Sequence, residues 1–153
     1  METILAPLPL GTSDFSALRK SGQIYVDKTR LIYTLASKRQ KFFLSRPRRF
    51  GKSLLLSTFE SLFKYGLRDF HGLEIESLWK DENTYQVIRL DFSNLKDFSS
   101  VEEFSELLDQ YLLDTLTVNR LVSPIKTDKE GLRAFIGWLA LQADNSVVLL
   151  LDE

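Results

Sequence analysis

Cysteine is missing altogether from this chain of 153 residues. That excludes a disulfide scaffold and a thiolate metal site, and it fits a reducing compartment. Histidine occurs once, at His71 before Gly72, so no imidazole pair can ligate a metal, and the position reads as a turn. Excess charge is lacking too. Twenty basic residues face 21 acidic ones, and a net charge of −1 gives no global basic field that would call for nucleic acid. No apolar run approaches membrane-spanning length, and residues 1–7 have neither a basic n-region nor an apolar h-region. No repeat or low-complexity linker interrupts the chain. The expectation is a soluble, cytoplasmic protein. Its 44% hydrophobic content is enough for one real core.

Against that neutral background stands a basic cluster, Arg46, Arg48, Arg49 and Lys52. It lies in Lys41-Phe42-Phe43-Leu44-Ser45-Arg46-Pro47-Arg48-Arg49-Phe50-Gly51-Lys52-Ser53-Leu54. The stretch reads as a buried strand at 41–45, a tight basic turn and the start of an amphipathic helix. Gly51-Lys52-Ser53 in that setting is the core of a phosphate-binding P-loop. At a helix start the N–H groups have no intrahelical acceptor and the dipole is positive, so an anion fits there. Gly51 lets the backbone approach phosphate, Lys52 can reach the terminal phosphates, and the Ser53 hydroxyl can ligate Mg²⁺. The first glycine of the general motif would fall at position 46, which is arginine. The bare residues also allow a basic strand-to-helix turn whose serine caps the helix.

Residues 1–11 read as an extended leader punctuated by Pro7, Pro9 and Gly11. Thr12 or Ser13 can cap a short helix through about Lys20, with Phe15 and Leu18 on one face and Gly22 ending it. Asp27 caps a second helix with a buried stripe of Leu31, Ile32 and Leu35. The helix after the loop, residues 52–65, presents Leu55, Leu56, Phe59, Leu62 and Phe63, and Gly66 closes it. Residues 67–84 read as irregular. A second strand spans 86–92; its Asp91 reads as a capping or turn residue. Ser100 and Glu103 form a capping box before a helix with the face Phe104, Leu107, Leu108, Tyr111, Leu112 and Thr115. Thr127 and Glu130 form another, before a helix with the face Leu132, Phe135, Ile136, Leu139 and Ala140. The apolar run 147–151 fits a central parallel strand covered on both faces, and it finishes in Asp152-Glu153.

The loop resembles that of the AAA-ATPase-like domain family, which characteristically carries Arg-Pro-Arg-Arg-Phe-Gly-Lys-Ser, so Arg46 agrees with the family. Leu10-Gly11-Thr12-Ser13-Asp14-Phe15, Tyr25-Val26-Asp27-Lys28-Thr29 and Val147-Val148-Leu149-Leu150-Leu151-Asp152-Glu153 are similar to it as well. The resemblance implies an α/β, three-layer P-loop NTPase-type parallel sheet. Residues 1–40 would be a helical preamble and 41–153 the P-loop ATPase core. It implies ATP and Mg²⁺ as cofactors. Arg48, Arg49, Phe50, Gly51, Lys52, Ser53 and Leu54 would bind nucleotide. Ser53 and Asp152 would organise the metal, and Lys52 and Glu153 would be catalytic, with Glu153 polarising water. Tyr25, Asp27 and Lys28 could contact adenine, but packing and capping explain them equally well. Arg48 and Arg49 could add charge at the phosphates or pair with acids elsewhere.

Family members commonly carry a nuclease-like C-terminal domain, which would then be a partner in the full protein; no nuclease site is visible in these residues. Two other classes remain open: a nucleotide-dependent switch without turnover, and a nucleic-acid-binding module using the basic loop. P-loop ATPases with a strand-end glutamate usually place a further strand between the loop strand and the Asp-Glu strand. The chain is therefore expected to be a fragment truncated after the Walker B strand and inactive by itself.

Overall fold

The computed structural model describes residues 6–45, 47, 49–121, 131–142 and 146–152. They fall into two compact units, Met1–Arg89 and Leu90–Glu153.

In the first unit, α1 (Phe15–Lys20) starts at Asp14, whose carboxylate accepts the Ala17 N–H at 2.8 Å. The cap is thus Asp14, not Thr12 or Ser13. The helix ends at Gly22, φ +66°, where the Gly22 N–H bonds to the Arg19 carbonyl and the Gln23 N–H to that of Leu18. That paired closure needs a left-handed residue, which glycine supplies. The N-cap of α2 (Thr29–Ala36) is Lys28, without a side-chain cap; Asp27, the expected cap, stands one residue earlier and accepts the Thr29 N–H at 2.8 Å. The buried face of α2 is Thr29, Ile32 and Ala36. Leu31 is 59% exposed, so the expected stripe is rotated off it.

The third helix, α3 (Lys52–Tyr65), has the expected extent and ends at Gly66, φ +61°. Its buried face differs from expectation. Ser57, Thr58, Ser61 and Leu62 are buried, while Leu55, Leu56, Phe59 and Phe63 are half-buried. The serines can go inside because their hydroxyls find partners from other elements. Residues 67–84 are more regular than expected, with a 3₁₀ turn (Gly66–Asp69) and a short α4 (Ile75–Leu78). Phe15, Ile32, Leu62, Phe70, Ile75 and Trp79 form the core. Phe15 is its centre, 4.7 Å from the Phe70 ring and 5.2 Å from that of Tyr25.

The strand expected at 41–45 is not formed. These residues have no regular structure, and Phe42, Phe43 and Leu44 are 50%, 87% and 41% exposed. A strand is held by ladder hydrogen bonds to a neighbour, and among the described residues the sheet pairs only two other strands.

Those strands are β1 (Gln86–Asp91) and β2 (Val147–Asp152), which pair in a small parallel sheet. The fold is mixed α/β. The described residues supply two strands where a three-layer parallel sheet was expected. Along β2, Leu150 and Asp152 are buried but Leu149 and Leu151 are 39% and 55% exposed. One face is covered, against the two expected for a central strand.

In the second unit, α5 (Val101–Val118) is capped by Ser100, whose Oγ accepts the Glu103 N–H at 3.1 Å. Glu103 reaches back one residue further than a standard capping box, taking the Ser99 N–H at 2.7 Å. Leu112, Leu113 and Leu116 are buried on α5, and Leu107 of the expected face is 38% exposed. Asp91 accepts the Ser93 N–H at 2.9 Å and so opens a 3₁₀ turn (Phe92–Asn94), the capping role read for it. The second capping box, Thr127 to Glu130, lies outside the described residues. On α6 (Gly131–Ala140) the buried positions are Gly131, Phe135 and Trp138. Leu132, Ile136 and Leu139 of the expected face are exposed instead. Gly131 settles which side faces α5, since a Cβ there would lie 1.9 Å from the Asp109 carbonyl oxygen. The Leu132 N–H also donates to the Asp109 carboxylate at 2.8 Å.

Candidate functional site

The loop residues of the sequence motif lie in the first unit, at the start of α3. Arg49 and Gly51 both have positive φ, +68° and +72°, on either side of Phe50. Positive φ is uncommon for arginine, and alternation of this kind turns backbone N–H groups toward one side. Nothing lies within 4 Å of where a Gly51 Cβ would be, so backbone conformation and not crowding calls for glycine here. Gly51 is the N-cap of α3 and offers no side-chain acceptor. The first closing bond runs from the Leu55 N–H to the Gly51 carbonyl at 2.9 Å. The N–H groups of the preceding turn have no intrahelical partner by construction, and they sit at the positive end of a helix of 14 residues.

Arg49, Phe50 and Gly51 are exposed, Phe50 at 62%. Lys52, Ser53 and Leu54 are half-buried. The turn is thus reachable from solvent, with a lysine and a hydroxyl in its first two helical positions. Chemically it suits a phosphate group. Arg48 lies outside the described residues.

Asp152, the expected metal-organising carboxylate, ends β2 in the second unit and is 8% exposed. Glu153 lies outside the described residues. Hydroxyl and carboxylate oxygens, as in Ser53 and Asp152, are the ligand types Mg²⁺ takes beside phosphate oxygens. Among the described residues no cluster of three or more side chains could hold a metal on its own. No helix there is long and apolar enough to cross a membrane.

Tyr25, Asp27 and Thr29 are engaged in packing and capping. The Asp27 carboxylate takes the Thr29 N–H and hydroxyl through one oxygen and the Glu74 N–H, at 2.8 Å, through the other. The Thr29 hydroxyl accepts the Ile75 N–H at 3.0 Å. One short motif therefore starts two helices, α2 and α4. Burial works to raise the Asp27 pKa, but the Glu74 and Thr29 hydrogen bonds outweigh it and leave it lowered. Tyr25 has its pKa raised by burial, which the nearby Thr58 hydroxyl only partly offsets. His71 is a turn residue whose Nδ1 lies 3.0 Å from Glu76.

Sequence reasoning missed the polar network behind the loop helix. Asp69 accepts the Ser61 hydroxyl at 2.7 Å, the Ser16 hydroxyl, and the Arg68 guanidinium at 2.9 and 3.1 Å. The Arg68 hydrogen bond is the main reason its carboxyl is held well below the usual range; the two serines add to it, against burial. The available signal was the row of hydroxyls, Ser57, Thr58 and Ser61, set among the apolar residues of α3.

A family profile described as predicted AAA-ATPase (AAA-ATPase-like) matches residues 9–153. An uncharacterized protein in the vnfD 5′ region of Azotobacter chroococcum mcd 1 is 34% identical across 95% of this chain. The chain spans 28% of that relative's length. No solved structure matches the chain. The profile match covers nearly the whole sequence, including the loop, and the chain belongs to the predicted AAA-ATPase family.

Proposed function

We propose that this chain binds ATP with Mg²⁺ through the turn that opens α3, and that hydrolysis is an activity of the complete protein. The observation that carries the reading is Gly51, left-handed with open space beside it, leading into a helix whose first turn has no side-chain cap. Lys52 and the N–H groups of residues 49–53 hold the β- and γ-phosphates, with Arg48, Phe50 and Leu54 completing the binding stretch. Ser53 and Asp152 are the oxygen ligands for the metal, which when bound neutralises charge on the phosphates. Glu153 orients the attacking water. Such catalysis is mostly electrostatic positioning, so each group contributes several kcal/mol, roughly, to the barrier.

The test is calorimetric titration of ATP–Mg²⁺ into the full-length protein. Lys52→Ala abolishes binding while the far-UV spectrum is kept; unchanged affinity in that variant would sink the assignment. Asp152→Asn weakens binding only when Mg²⁺ is present. Glu153→Gln keeps binding and slows phosphate release. Parental phosphate release at background level would turn the ATPase into a nucleotide-dependent switch.

A further inference from the structure

Beside Leu62, the helix that carries Lys52 and Ser53 buries three hydroxyl residues, where a globular helix is ordinarily aliphatic. Ser57, Thr58 and Ser61 are 8%, 1% and 3% exposed and share one face of α3. The Ser57 Oγ accepts the Phe15 N–H at 2.9 Å, tying α3 to the first residue of α1. One turn on, the Ser61 Oγ donates to Asp69 at 2.7 Å, and that carboxylate also takes the Ser16 hydroxyl of α1. Arg19 of α1 adds bonds to the Asp69 and His71 carbonyls, at 3.1 and 2.5 Å. Helix α1, helix α3 and the 3₁₀ turn after α3 are thus joined through one carboxylate.

Apolar contact is non-directional, so it fixes how closely α3 lies against α1 more firmly than how α3 is rotated. Hydrogen bonds prefer angles above about 150°, and two of them a turn apart fix the rotation. Lys52 and Ser53 turn with the helix. A rotation of about 15° moves a group ~5 Å from the axis by more than ~1 Å. Misplacement on the order of 1 Å can cost roughly hundredfold where geometry matters.

We propose that Ser57, Ser61 and Asp69 are positioning residues for the phosphate-binding turn, setting the rotation of α3 from α1 and so the aim of Lys52 and Ser53. The proposal rests on the ATP-binding reading above. It assigns the preamble a role in nucleotide affinity without any contact to nucleotide.

The experiment combines Ser57→Ala with Ser61→Ala in the full-length protein. Leu62→Val is the comparator, because it loosens the same buried helix without removing a hydrogen bond. All proteins are studied well below their unfolding midpoints, with two readouts: the ATP–Mg²⁺ dissociation constant, and amide hydrogen exchange without nucleotide of residues 55–58, the first amides of α3 that close helix bonds. The expected result is about tenfold weaker binding and faster exchange at 55–58 in the double variant. Leu62→Val stays within about twofold of the parent even if its midpoint falls as far. Parental affinity and exchange in the double variant would overturn the positioning role, as would an equal affinity loss in Leu62→Val. A parent that binds no ATP overturns the ATP-binding reading instead. The exchange readout then decides by itself whether the hydroxyls hold the turn.

Discussion

The two ends of α3 are built to opposite specifications. At its C-terminal end Ser61 reaches Asp69, Lys64 pairs with Glu60 at 2.7 Å, and the Arg68 guanidinium lies 3.8 Å over the Tyr65 ring. The Gly66 N–H closes the helix on the Leu62 carbonyl. At its N-terminal end there is no side-chain cap, two residues are left-handed, and the turn faces solvent. Other helices of the same chain do carry caps, Asp14 on α1 and Ser100 on α5. With glycine at the N-cap the missing side-chain cap costs only a few tenths of a kcal/mol, roughly, so its omission is a small local weakness. It is a weakness that an anion would remove. The stabilising side-chain contacts are at one end of the helix, and the open turn proposed to hold phosphate is at the other.

Substitutions that separate the two ends put numbers on this contrast. Lys52→Ala should have the largest effect, an affinity loss of at least about hundredfold for ATP–Mg²⁺, or ~2.7 kcal/mol, read by calorimetry. Asp69→Asn should act at the other end and on stability, by ~2 kcal/mol in denaturant titration, since charge-assisted bonds to a buried carboxylate are lost. Its pH dependence has a definite sign. The folded pKa of Asp69 is depressed, so its contribution is complete above the ordinary unfolded value of about 4 and declines as pH falls below that. Acid titration of the variant should therefore show a shallower loss of stability than the parent below about pH 4; identical slopes would remove Asp69 from the account.

Gly51→Ala comes next, costing ~1 kcal/mol of stability from left-handed strain alone, because the space beside it is open. Gly51→Asn should cost less, since asparagine tolerates that conformation; equal costs would point to a clash instead. Lys64→Ala is the smallest, a few tenths of a kcal/mol at about most, as expected for a partly exposed pair four residues apart.

The boundaries of α3 were legible because Gly51 and Gly66 punctuate an apolar-periodic run, and both prove to be left-handed. The strands were legible for a related reason, being short β-rich runs bounded by turn residues. The buried face of α3 was not. Ser57 and Ser61 look like surface residues until their partners are known, and Phe15 and Asp69 are 42 and 8 residues away. On α6, apolar residues occur all round, so periodicity found Phe135 but put Leu132, Ile136 and Leu139 beside it where Gly131 and Trp138 are buried; the close approach to Asp109 chose. For Lys41 to Ser45, a hydrophobic run reads as a strand whether or not a neighbour is there to pair with it. At the candidate site, the helix start at Gly51 could be read from sequence because helix-start chemistry is local. The bonds of Asp27 to Glu74 and of Thr29 to Ile75 could not, since those partners lie 47 and 46 residues away.

Amide hydrogen exchange of the full-length protein, with and without ATP–Mg²⁺, tests the central claim most directly, because it reads both ends of α3 at once. Slowed exchange confined to the amides of residues 49–54, with those of residues 61–69 unchanged, is the predicted result. Unchanged exchange at 49–54 under saturating nucleotide, or protection appearing only at the Asp69 end, would contradict it.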